Sequence, residues 1–261
     1  MDRILFTAVM TLVPFIGTAL GALAVFCIGR EPRESVKKFL LGFASGVMLA
    51  ASVWSLILPS IELASQQGRD PDWLPAILGF AFGMLILGGA DMAITRFCEK
   101  DGAVQGRGAK GCARLFTAVT LHNIPEGMAV GVALSAAISE STAVGYASAA
   151  ALTFGIAVQN FPEGAVVSMP FAASGMSRVR AFAFALLSGI VEPVFCVITV
   201  FAVRLIYPAL PCFLSFAAGA MVYVVAEELL PEAHEGRKSM AATLGVTLGF
   251  CLMMLLDICL G

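Results

Sequence analysis

Two short segments carry side chains that could hold a cation in surroundings where such groups are costly. His122-Asn123-Ile124-Pro125-Glu126-Gly127 and Gln159-Asn160-Phe161-Pro162-Glu163-Gly164 share the pattern x-N-x-P-E-G, and both lie inside long apolar runs. His122 and Glu126 are four residues apart, as are Gln159 and Glu163, so on a helix each pair occupies one face, one turn apart. Imidazole, carboxylate and amide oxygen together suit a divalent cation. An ionisable side chain at mid-bilayer costs about 2.5–3.5 kcal/mol on insertion scales. A bound M²⁺ would offset the desolvation of Glu126, Glu163 and Glu192, the last of which sits in a later apolar run. A lone Asn or Gln in a membrane helix reads most simply as an interhelical hydrogen bond. Three glutamates and a histidine at repeated spacing read as a metal site. Pro125 and Pro162 each remove a backbone donor, which frees the carbonyls of Leu121 and Val158 and predicts kinks at membrane depth.

Hydrophobic residues make up 59% of the 261 positions and charged residues 13%, about half the charged share of a soluble domain. A spanning helix needs roughly 20 apolar residues. Eight such stretches are present: Ile4–Gly29, Phe39–Ala64, Trp73–Phe97, Leu115–Ile138, Thr142–Met169, Ala181–Leu205, Pro211–Leu230 and Met240–Leu260. The first is too long for a signal-peptide core and reads as a membrane helix. The expectation is an all-α integral membrane protein of eight helices in one domain spanning residues 1–261, with a flexible, glycine-rich cytoplasmic loop at about 99–114. Stretches four and five are consecutive and cross in opposite directions, so their motifs meet face to face, as an inverted repeat places a substrate site.

Lys and Arg collect after stretches 1, 3, 5 and 7, which puts those loops in the cytoplasm and both termini on the opposite side of a cell (inner) membrane. A net charge of −2 and basic residues confined to short loops exclude a nucleic-acid partner. The seven cysteines form no C-x-x-C pair and read as packing residues. No Walker-type nucleotide motif is present, and no organic cofactor is expected.

At the two motifs the chain resembles the ZIP family of zinc and iron permeases, in its GufA-like prokaryotic branch. The resemblance extends to Gly46–Ser52 and Ser55–Pro59 in the second stretch, to Ser188–Pro193 in the sixth and to Glu227–Glu232 in the seventh. It implies eight helices with extracytoplasmic termini and a two-metal centre between helices 2, 4, 5 and 6. His122, Glu126, Gln159, Glu163 and Glu192 would surround one metal, with Met48 as a soft ligand, and Asn123, Glu126, Asn160, Glu163 and Glu192 the second. It further implies an elevator-like motion and pairing as homodimers. Where many members carry His-Asn or Gln-Asp in helix 5, this chain has Gln159-Asn160, and the neutral amide should weaken the second position.

The expected function is uptake of Zn²⁺ into the cytoplasm, with Cd²⁺, Fe²⁺ and Mn²⁺ chemically compatible, and no enzymatic activity. The alternatives are an intramembrane metal-dependent hydrolase, which lacks H-E-x-x-H, and a proton-linked permease for another solute. Glu227, Glu228 and His234, near Pro231, are secondary candidates for receiving the metal on exit, against the simpler reading of a solvated helix end. Asp91 is expected to pair with Arg96.

Overall fold

In hydrocarbon every backbone N–H and C=O must be satisfied within the chain, so the apolar stretches fold as helices. The structure is a computed structural model that describes residues 3–27, 33–100, 109–140, 143–173, 175–236 and 240–260, without the side chains of some residues inside those helices. Among the described residues there are helices, turns and no strand. They form eight helical spans: α1 (Arg3–Cys27), α2 (Glu34–Gln66), α3 (Trp73–Lys100), α4 (Ala109–Glu140), α5 (Ala143–Ala173), α6 (Arg178–Gly189 and Val191–Ile206), α7 (Tyr207–Ala233) and α8 (Met240–Leu260). Six of them, α1 to α3 and α6 to α8, have windows long and apolar enough to cross a membrane. The other two, α4 and α5, carry the motifs and run 32 and 31 residues, more than a bilayer needs. Helix α3 reaches Lys100 and α4 begins at Ala109, so both ends of the expected 99–114 loop are helical; residues 101–108 lie outside the described part.

The helices associate in pairs: α1 with α5, α4 with α6, α2 with α8, and α3 with α7. Exchanging α1 with α6, α2 with α7, α3 with α8 and α4 with α5 maps each pair onto another, which is the pattern of an inverted repeat. Local irregularities obey the same exchange. Helix α2 widens into a π-helical segment at Ser52–Ile57, and α7 does so at Val225–Leu229. Pro59 and Pro231 explain both. A proline cannot bond to the carbonyl four residues back and crowds it, and those carbonyls, of Ser55 and Glu227, fall inside the widened turns. Close pairing depends on small residues. At Gly42 and Gly46 of α2, a Cβ would collide with the backbone of Ala242 and Val246 on α8.

Candidate metal centre

The centre is assembled at a helix break. Pro193 would crowd the carbonyl of Gly189, and α6 breaks at Ile190 into two segments. Ser188 is among the last four residues of the first segment, whose carbonyls lack intrahelical partners. The Asn123 amide from α4 donates to the Ser188 carbonyl at 2.7 Å. Glu192 falls in the first turn of the second segment, where the helix dipole favours an anion. Gly127 follows Glu126 on α4, and a Cβ there would strike the backbone of Glu192, so the missing side chain lets α4 close onto the break.

The α5 half is built in the same way against α1. A Cβ on Gly164 would strike the Thr18 carbonyl, and a Cβ on Gly21 the Phe161 carbonyl. The Asn160 amide donates to Glu192 Oε2 at 2.8 Å and lies 3.3 Å from the Pro14 carbonyl of α1. Thr18 Oγ1 donates to Glu192 Oε1 at 3.4 Å. The Gln159 amide donates to Glu126 Oε1, joining the two motifs. Helices α4 and α5 continue through Pro125 and Pro162 without a break.

These bonds use the amide N–H groups and leave the oxygens. Asn123 Oδ1, Gln159 Oε1, Asn160 Oδ1 and Glu126 Oε2 are buried and have no hydrogen-bond partner among the described residues. Glu126, Gln159 and Asn160 are 0% exposed. A buried acceptor left unpaired costs about 1–3 kcal/mol. Four on neighbouring motif residues call for a common partner that accepts lone pairs, and a cation is one. The carboxylates of Glu163 and Glu192 also act electrostatically on Glu126, so three acidic groups share one low-dielectric region. Among the described residues no three His, Cys, Asp or Glu side chains close into a ready-made metal cage; three of the four unpaired oxygens come from amides.

The candidates read from the sequence fall into four groups. Asn123, Glu126, Gln159, Asn160 and Glu192 are joined by the contacts above, and Glu163 stands beside them. His122 lies on α4 one turn before Glu126, but its side chain is outside the described residues. Met48 is buried in the main apolar cluster. Glu227 is exposed and Glu228 half-buried in the π segment of α7; His234 is exposed, with its Nδ1 3.1 Å from the Leu230 carbonyl. Beside them, Lys37 of α2 pairs with Glu232 at 2.6 Å. Asp91 accepts from Tyr223 of α7 at 3.2 Å, a contact made because α3 packs on α7; the side chain of Arg96, its expected partner, lies outside the described residues.

Thr18 and the Pro14 carbonyl are not among the residues singled out from the sequence. Their only signal was a hydroxyl between Gly17 and Gly21, the small residues that let α1 approach α5. Ser55 donating to Asp257 at 2.7 Å was also missed, because the two residues meet only through the packing of α2 on α8.

Residues 113–257 match the family model described as ZIP Zinc transporter, more than half of the chain. The chain is 38% identical to "Zinc transporter GufA" of Myxococcus xanthus over 251 residues, covering 94% of both proteins. It is 37% identical to "Zinc transporter ZIPB" of Bordetella bronchiseptica over 253 residues, covering 95% of this chain and 79% of that one. Against "Zinc transporter ZIP11" of Bos taurus it is 34% identical over 322 residues, again covering 94% of both. With multiple membrane-length helices, the paired P-E-G motifs and these full-length similarities, the chain belongs to the ZIP family, a family of transporters and not of enzymes.

Proposed function

We propose that this chain carries divalent metal ions, Zn²⁺ foremost, into the cytoplasm through a centre formed by His122, Asn123, Glu126, Gln159, Asn160, Glu163 and Glu192. The observation that carries this reading is the set of four buried oxygens, on Asn123, Glu126, Gln159 and Asn160, whose lone pairs have no donor among the described residues. A cation satisfies all of them at once and screens the three glutamates from one another. The relatives named as zinc transporters support Zn²⁺ as substrate. Cd²⁺, Fe²⁺ and Mn²⁺ fit the same donors, because imidazole with oxygen ligands discriminates weakly among first-row ions.

The centre runs mainly with one metal, since Asn160 stays neutral and already commits its amide to Glu192. Helices α1, α4, α5 and α6 hold the metal and move as a set against α2, α3, α7 and α8 in an elevator-like step. Met48 on α2 supplies a soft ligand from the facing set. Glu227, Glu228 and His234 receive the ion on the cytoplasmic side, both termini face outward, and two chains pair as a homodimer.

The test is uptake into proteoliposomes of a panel of divalent ions by wild type, Glu163→Gln and His122→Ala. Zn²⁺ should enter fastest in wild type, and each variant should lose at least about 10–100-fold, the range already seen when only an outer-shell support of a metal site is removed. Undiminished flux in both variants would refute the site assignment.

A further inference from the structure

Helices α1 and α5 are drawn together at Gly17, Gly21 and Gly164, while α2 is drawn toward α8 at Gly42 and Gly46. Where the two pairs part, α1, α2 and α5 enclose an open groove of about 620 Å³. Its walls include Ile16 and Leu20 of α1, Leu40 and Phe43 of α2, and Phe154 and Phe161 of α5. Every lining residue is apolar or glycine, so ordered water has no partners there. Hydrocarbon does, and the groove lies between helices long enough to cross a bilayer.

One wall leads to a charge. Phe43, Leu40 and Val36 recur at intervals of three and four on one face of α2, and Arg33, the residue that caps the N-terminus of α2, follows three residues beyond Val36. The neighbouring lysines are engaged, Lys37 by Glu232 at 2.6 Å and Lys38 by Glu34 at 2.7 Å. Arg33 is exposed and has no ion pair among the described residues. A guanidinium at the end of an apolar groove fits a phosphate at the end of an acyl chain.

We propose that this groove is a binding site for one acyl chain of an anionic phospholipid, with the lipid phosphate held by Arg33. The chain lies against Phe161 and Pro162, the two residues between Asn160 and Glu163 in the α5 motif. The occupant therefore braces the outer side of the turn whose inner side, on the function proposed above, faces the metal.

Tryptophan quenching by bromine-labelled lipid tests the site without metal, so its outcome stands apart from the transport reading. Phe154→Trp, or Leu20→Trp as a second reporter, is placed in a Trp54→Phe, Trp73→Phe background. Leu85→Trp, on the 73% exposed position of α3, reports ordinary lipid contact. In phosphatidylcholine vesicles doped with brominated phosphatidylglycerol, the groove reporter should reach half-quenching at a several-fold lower dopant fraction than Leu85→Trp. Arg33→Gln should remove that preference. Identical curves at the groove and at Leu85, or a preference that survives Arg33→Gln, would overturn the proposal. Native mass spectrometry of the wild-type chain extracted from phosphatidylglycerol-containing membrane gives an answer independent of any variant. One retained phosphatidylglycerol per chain is expected, and retention of zwitterionic lipid alone, or of none, counts against it.

Discussion

The α4–α6 half of the centre and the α5–α1 half share a backbone plan but not a chemistry. In one, Gly127 lets α4 meet α6 at Glu192; in the other, Gly164 lets α5 meet α1 at Thr18. The exchange that relates the two repeats thus sets Thr18 opposite Glu192, and His122 opposite Gln159. Packing repeats because glycine and proline positions govern how closely helices approach and where they break. Charge does not, because each added carboxylate in a low-dielectric site must be offset by a cation. With Glu126, Glu163 and Glu192 already present, the ionised carboxylates outnumber the charge of one divalent ion, and a fourth acidic group at position 18 or 160 would widen that excess. In the α5–α1 half the Thr18 hydroxyl and the Asn160 amide donate to Glu192 instead, and the Gln159 amide donates to Glu126.

That division of labour can be broken most severely at Glu192. Glu192→Ala removes the group that Asn160 and Thr18 both address, and Zn²⁺ uptake should fall by about 100-fold or more, beyond the range for outer-shell changes. Initial rates in proteoliposomes measure it; a loss no larger than that of Thr18→Val would place the charge elsewhere. Next come the backbone contacts. Gly127→Val and Gly164→Val each force a side chain into the backbone of the facing helix, and overpacking of this kind costs about 1–3 kcal/mol or more. Thermal unfolding in detergent should show both variants destabilised to similar extents, since the two halves share their packing even though their charges differ. A smaller effect is expected at Thr18. Its 3.4 Å bond to Glu192 is long, so Thr18→Val should weaken apparent Zn²⁺ affinity by roughly fivefold, about 1 kcal/mol, with Thr18→Ser close to wild type. Equal losses in both variants would assign Thr18 to packing alone. Asn160→Asp sharpens the comparison instead of breaking it. Converting the amide into a carboxylate should raise bound metal from about one to about two per chain by elemental analysis, and unchanged stoichiometry would sink the one-metal reading.

Much of the fold was legible because helix formation in a membrane is a local requirement. Apolar length alone placed each span within a few residues of its observed bounds, from Met240–Leu260, which agrees, to α4, which begins at Ala109 and not Leu115. The motif residues were legible because buried ionisable groups are rare and their i, i+4 spacing is a helix signature. Thr18, Ser188 and Pro14 were not. A hydroxyl in an apolar helix, or a backbone carbonyl, looks the same in sequence whether or not a partner stands opposite. The π segments of α2 and α7 were hidden as well, because Pro59 and Pro231 only announce a disturbance, and whether the helix kinks, breaks or widens depends on its neighbours.

By itself, then, the sequence determined that the chain crosses a membrane as eight helices and that two opposed P-E-G motifs bring carboxylates and amides to its interior. It could do so because hydropathy and residue spacing act within a single helix. Tertiary structure alone decided which amide serves which carboxylate, that α1 reaches Glu192 through Thr18, and that four buried motif oxygens are left without a donor among the described residues. Hydrogen-bond satisfaction in an apolar medium is a property of the whole packed bundle, and no single helix contains it.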